Sequence, residues 1–442
     1  MSTSSLPGAG ISRRGFLRAA VAGSAAAGAL PLVTACGGGS ASSGGQGGTL
    51  KFWDMPWGAA SYNPAAKKLV DAYKPANGLP KATYQEIQWN NFTQTFSSAI
   101  ASNTGPAVST GGGFQAFQYA QQGAIAYADN LIEQFKQDGT LADYLPGTVE
   151  AMKTDKGYAA VPWQLDMRPW WYRKSLLDQV GAKPPTNWDE LLATGKALAQ
   201  KGIYGFAAGS GAGQNLGAHQ MVMLMINNGG GLFNPDGKVD LVTDRNIEAM
   251  QFVQELVREK IIDPAAVSYT IDNLNQQWKN KKVAMGIDTP GLDANIGDTS
   301  GDLQVMSPLA GPHGDKACLV FENNIMMYRN TPSQAGSEAF LAYYIKNMKT
   351  LWQQKVVPGL PVLKSIVALP EFQADKQKAK VIKEYQPIAK SYASRSTQLS
   401  PALAQIDGGQ PLNQFTQTML QGKTDPKTAL TSLQTALDAI VK

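Results

Sequence analysis

The chain carries side chains suited to gripping a molecule rather than breaking one. Trp89, Phe114 and Trp163 stand close to planar polar groups, in the runs Trp89-Asn90-Asn91, Gly113-Phe114-Gln115 and Trp163-Gln164-Leu165-Asp166-Met167-Arg168, and Trp57 adds a further aromatic face in a Pro/Gly turn. Aromatic faces cover apolar C–H surfaces, while amides, carboxylates and guanidinium forks exchange hydrogen bonds in pairs. Asp166 and Arg168 lie two residues apart, so on an extended strand both face the same side. Asp166 can there accept from two adjacent hydroxyls while Arg168 donates through its fork; the alternative is an internal salt bridge that fixes the backbone. Asn90 or Asn91 equally serves to cap a helix that starts near Phe92. Gly209-Ser210-Gly211 offers backbone that a ligand can approach closely. His219 follows on the next helix, as a contact or as a satisfied polar residue.

The apparatus of turnover is thin. The two histidines, His219 and His313, fall outside any His-Glu-x-x-His spacing, and no Gly-x-Ser-x-Gly run occurs. No metal and no cofactor is expected, and the chain reads as a binder and not an enzyme. An exported glycosidase working with two carboxylates is the rival from another class.

The elements that must position these residues alternate. Thr49 to Trp53 reads as a strand, followed by a helix with Ala66, Leu69 and Val70 on one face; Phe92, Phe96 and Ile100 mark a second helix. Ala107-Val108-Ser109 is a brief strand feeding the glycine loop Gly111-Gly112-Gly113. Further along, Pro184-Pro185-Thr186-Asn187 opens a helix in which Thr186 with Asp189, or Asn187 with Glu190, forms a capping pair. Tyr204 to Ala207 and Val283 to Ile287 read as strands, Gln214 to Ile226 and Arg245 to Glu259 as helices. Asn234-Pro235-Asp236-Gly237 is a turn. Such alternation predicts parallel α/β sheets, whose ligands gather at the C-terminal ends of strands. Trp57, Trp89 and Phe114 all fall just beyond predicted strands.

The N-terminus is an address. Ser12-Arg13-Arg14-Gly15-Phe16-Leu17, then an Ala/Gly-rich apolar run, resembles a twin-arginine export signal, and Val33-Thr34-Ala35-Cys36 resembles a lipoprotein cleavage site. Residues 1–35 are expected to be removed, leaving Cys36 to carry the lipid and 36–48, a Gly/Ser run, to act as tether. The apolar run is shorter than the roughly 20 residues needed to span a bilayer. The formal charge of +5 includes Arg13, Arg14 and Arg18, so the body carries about +2, with no nucleic-acid footprint. With Cys36 lipidated, Cys318 stands alone and no intramolecular disulfide can form.

One segment carries a resemblance. Gly157 to Lys174, reading GYAAVPWQLDMRPWWYRK, is similar to the hinge strand of ABC-transporter solute-binding proteins of the family-1, maltose-binding-protein-like class. Further matches are the helix start Pro184 to Leu191, Asn227 to Phe233, Lys282 to Met285, and Gly359 to Ser365, in family order over nearly the whole body. Family departures include Arg173, where an Asn is common, and Thr289-Pro290-Gly291, where a Trp is frequent. The resemblance implies the type II periplasmic-binding-protein fold: two α/β lobes, a hinge, and a ligand cleft between them. Motif matching places the first lobe at 49–164 plus 304–347 and the second at 165–303 plus 348–442. Glu322-Asn323-Asn324 matches a family loop near the cleft, adding Glu322 and Asn323 to the candidate contacts. The implied activity is capture of a carbohydrate, with an oligosaccharide first, by lobe closure, and its delivery to an ABC permease. A polyol or glycerol phosphate ester is the runner-up ligand. The protein would then be a monomer outside the cytoplasm, lipid-anchored on the outer face of the cytoplasmic membrane.

Overall fold

The computed structural model describes residues 48–58, 60–89, 92–212, 214–396 and 402–441. The leader with Arg13 and Arg14, the lipidation candidate Cys36, almost all of the tether, and Asn90 and Asn91 lie outside them. Two sheets organise the rest. The first runs, in spatial order, Leu360–Pro361, Val161–Met167, Cys318–Tyr328, Val108–Gly111, Leu50–Asp54, Ala82–Glu86. Its last three strands are mutually parallel, as strand–helix alternation requires, whereas the long strand Cys318–Tyr328 runs antiparallel to Val108–Gly111 and to Val161–Met167. The second sheet has the order Leu303–Val305, Trp170–Arg173, Val283–Ile287, Tyr204–Ala207. Helices cover both, giving the two-lobed α/β architecture.

The chain passes from the first sheet to the second through Arg168-Pro169 alone, the two residues between Met167 and Trp170. A passage this short fixes Arg168 at the junction. The return differs from expectation. Leu303–Val305 pairs with Trp170–Arg173 in the second sheet, so the chain re-enters the first sheet after residue 305 and not at 304. The segment after 348 also does not stay with the second sheet: Leu360–Pro361 pairs with Val161–Met167, and Ala389–Lys390 with the start of the long strand. Strands two residues long carry too little periodicity to announce their partners.

Local signals hold where chemistry is specific. Asn187 caps the helix Trp188–Ala199 by accepting from the Glu190 N–H, while Thr186 bonds Glu190 instead of Asp189. Trp170, Trp171 and Trp278 are core. Arg173 is buried between Asp298 (2.7 Å) and Asp302 (3.1 Å), so this departure from the family pattern is absorbed as an ion cluster. Cys318 is buried, and desolvation pushes its thiol up to about 12, which leaves it unreactive. Among the described residues no helix is long and apolar enough to cross a membrane.

Candidate functional site

Trp57 follows the first strand, and its indole N–H donates to Thr110 Oγ1 at 3.0 Å. Its ring meets Trp89 edge-on, with centroids 4.8 Å apart at 88°. Trp89 in turn donates to the Pro56 carbonyl at 3.0 Å and packs on Phe92, yet keeps 39% of its surface exposed. Loop and helix start are thus locked together into one aromatic wall. Below it, the glycine loop is tied to the long strand: Gly113 N–H donates to Asn323 Oδ1 at 3.0 Å, and Asn324 Nδ2 donates to the Gly113 carbonyl at 2.8 Å. Gly113 has φ +36°, a conformation that side-chain-bearing residues disfavour.

Asp166 and Arg168 face the same side, as their spacing predicts, and close on each other. Arg168 donates to both Asp166 oxygens, Nη1 at 2.5 Å and Nη2 at 2.9 Å. Its remaining N–H groups go to the Met167 carbonyl at 3.0 Å and to His219 Nδ1, at 3.1 Å from Nε and 3.0 Å from Nη2. All five guanidinium protons therefore have internal acceptors. The expected fork toward a ligand is already spent, and of the two readings offered by the sequence the internal salt bridge describes it. Arg168 is sealed, with 5% of its side chain exposed, whereas Asp166 keeps 31% and so retains outward lone pairs.

The same bonds settle the state of His219. Arginine has no acceptor, so Nδ1 must accept and the single ring proton sits on Nε2, which donates to Asp407 Oδ1 at 2.9 Å. Burial, then the neighbouring Arg168 charge, lowers the His219 pKa, in agreement with a neutral ring. Tyr392 OH also donates to Asp407 Oδ1, at 3.0 Å. Burial opposes its charge, but His219, Tyr392 and Arg168 together hold the Asp407 pKa below its ordinary value. Phe321 closes this cluster, its ring 5.1 Å from the Arg168 guanidinium carbon and 4.7 Å from His219.

These groups line one groove of about 660 Å³, within the range of small-molecule sites. The structure brings together nine sequence-predicted residues in it: Trp57, Trp89, Gly113, Phe114, Gln115, Asp166, Arg168, His219 and Asn323. Three others lie elsewhere. Trp163 is fully buried, wedged between Trp57, Tyr62 and Trp352, and supports the wall from beneath instead of stacking in the groove. Ser210 donates to the Val267 carbonyl at 3.0 Å, away from the lining. Glu322 points behind the long strand into a separate cavity with Leu165, Val320 and Gln386. Strand alternation sends Phe321 and Asn323 one way and Glu322 the other. Sequence reasoning missed Phe321, Asn215 and Asp407, which also line the groove. Phe321 was recoverable by parity from Asn323; Asp407 had no local signal.

The charged groups in the lining are two carboxylates, Asp166 and Asp407, and one fully engaged guanidinium. Such a surface presents ring faces, carboxylate acceptors and side-chain amides, with no spare cation among the described residues.

Comparison with known proteins gives a consistent picture. A family model described as bacterial extracellular solute-binding protein matches residues 59–349. A sugar transporter from Arthrobacter chlorophenolicus A6, solved with bound laminaribiose, is 61% identical and superposes with a TM-score of 0.82, covering 89% of this chain and 100% of that one. The sugar-binding protein MalE from Xanthomonas citri shares the fold at 18% identity, with a TM-score of 0.74 over 89% of this chain and 97% of that one. A curated relative from Brucella abortus, named only as a binding protein, is 23% identical over 279 residues, which is 62% of this chain and 67% of the relative.

Proposed function

The chain belongs to the bacterial extracellular solute-binding proteins, binders and not enzymes, and from that premise we propose that it captures a carbohydrate in the interlobe groove for an ABC permease. The observation that carries this reading is the pairing of the Trp57–Trp89 wall with the outward lone pairs of Asp166. A pyranose has apolar C–H faces for the indoles and vicinal hydroxyls for a carboxylate. The 61% identical transporter that holds laminaribiose supports a disaccharide or longer oligosaccharide. The electrostatics speak against a glycerol phosphate ester, since two carboxylates and a guanidinium without a free N–H repel an anion more than they attract it.

The lobes are assigned by sheet: the first sheet with its helices, and the second with its own, articulating at Arg168-Pro169. Export through Arg13-Arg14 and lipidation at Cys36 tether the body beside its permease, outside the cytoplasm and as a monomer. Titration calorimetry of the protein with laminaribiose and with glycerol 3-phosphate tests the ligand class. One-to-one binding of the disaccharide, recovered chemically unchanged, is expected. Binding of the phosphate ester alone would overturn the reading.

A further inference from the structure

The aromatic wall hangs from a carboxylate that does not reach the groove. Asp54 ends the first strand and is fully buried. The groups that face it are donors: the hydroxyls of Tyr62 from the helix Tyr62–Asp71, Tyr84 from the strand Ala82–Glu86 and Thr110 from Val108–Gly111, and more distantly Tyr344 from the helix Gln334–Asn347 and the indole of Trp57. Among the described residues no cation pairs with it.

Proton bookkeeping fixes the direction of each bond. The indole of Trp57 can only donate, so Thr110 Oγ1 accepts from it at 3.0 Å and from the Met55 N–H at 3.4 Å. The one hydroxyl proton of Thr110 is left for Asp54 Oδ1, 2.6 Å away. In the same way Asn63 Nδ2 donates to Tyr84 OH at 2.7 Å, which turns the Tyr84 proton toward Asp54 Oδ2 at 3.2 Å. Tyr62 brings a third proton to Oδ2 at 3.0 Å. Three donors converge on one carboxylate, an arrangement that favours its ionised form.

Resting on the carbohydrate reading, we infer that Asp54 is the positioning residue of the aromatic wall: ionised, it orients Thr110, and through Thr110 it holds the Trp57 indole as the ligand meets it. A proton on Asp54 removes the charge around which these donors are ordered, and on the Oδ1 side it weakens the charge-assisted bond that fixes the Thr110 hydroxyl and, through it, Trp57. Burial pushes the Asp54 carboxyl up to about 7 against the pull of Thr110, Tyr62, Tyr84 and, least, the Trp57 indole itself. Tyr62 and Tyr344 stay protonated, their pKa values raised well above the ordinary value by burial. The wall is therefore in order above neutral pH and loosens as the pH falls through neutrality.

The experiment follows two readouts from pH 5.5 to 8.5 in wild type, Asp54→Asn, Thr110→Val and Thr110→Ser. The first is the indole N–H resonance of Trp57, assigned with Trp57→Phe, which needs no ligand. It is expected to titrate with a near-neutral midpoint in wild type and Thr110→Ser, to shrink in amplitude in Thr110→Val, and to be flat in Asp54→Asn. The second is laminaribiose affinity, expected to weaken about five- to tenfold on acidification in wild type, the scale of one hydrogen bond. Asp54→Asn is expected to be weak and insensitive to pH, and Thr110→Ser to restore both affinity and profile. Glu322→Gln and Asp288→Asn, which remove the carboxyls that burial raises to about 7 and about 6, are each expected to leave the Trp57 titration in place. An unmoved Trp57 resonance in wild type, or an Asp54→Asn profile identical to it, overturns the inference. If the resonance titrates while no sugar binds, the carbohydrate reading fails and the positioning role stands.

Discussion

Arg168 is held by five donated hydrogen bonds, and Asp166 is the only anion among their acceptors. Removing that partner leaves a nearly sealed guanidinium without a bonded anion, with only the fields of Asp288 and Asp407 to offset its charge. Asp166→Ala is expected to lose about 3–5 kcal/mol of stability in addition to ligand affinity. Asp166→Asn, which keeps a carbonyl acceptor, should lose less. Denaturant melts of the two variants check this, and an Asp166→Ala protein as stable as wild type would show that the pair is not buried as described. The residue types at the groove were legible in the sequence; the use made of them was not. Spacing put Asp166 and Arg168 on one face, but no sequence pattern tells whether a guanidinium turns to a ligand or to a histidine 51 residues away. Parity could have done more: Trp163 and Asp166 are three apart on one strand, so they cannot share a face.

At the scale of elements, the long strand Cys318–Tyr328 works as a partition. Phe321 and Asn323 border the groove, while Glu322 faces the cavity behind. Among the described residues no cation pairs with that carboxyl, and burial pushes it up to about 7. The sign follows: the contribution of the protonated carboxyl is whole below its unfolded value of about 4.5 and is lost once the pH rises through about 7. Glu322→Gln should therefore melt higher than wild type at pH 8, by up to a few kcal/mol in stability, and match it near pH 4.5. A lower melting point at pH 8 would refute the account. The sequence offered two short apolar runs around Glu322-Asn323-Asn324, not one continuous strand, because the polar residues interrupt the apolar pattern. The buried amides of Asn323 and Asn324 are matched by the glycine loop, a partner more than 200 residues away. Elements whose signals are local, such as Tyr204–Ala207, Val283–Ile287 and the Asn187 cap, match the sequence reading closely.

On the scale of the molecule, two sheets share a junction two residues long, and the groove spans it. A ligand that touches Trp57 on one side and the Asp407 end on the other binds best when the walls approach, and only this differential affinity can drive closing. Laminaribiose is expected to reduce the radius of gyration in solution scattering and, at 100 times its dissociation constant, to add about 2.7 kcal/mol of stability. Heat stabilisation without compaction would mean binding to one wall alone. The two-lobed plan was legible through ordered motifs, while the weaving of the C-terminal third between the sheets was not, since its pairings are two residues long and far apart in sequence. The buried thiol of Cys318 has one more consequence. Apart from Cys36, the chain offers no other sulfhydryl to a maleimide, so with Cys36 replaced, cysteines introduced one on each lobe could take a donor and an acceptor dye without background. The protein would then report its own occupancy as a change in energy transfer, one molecule at a time.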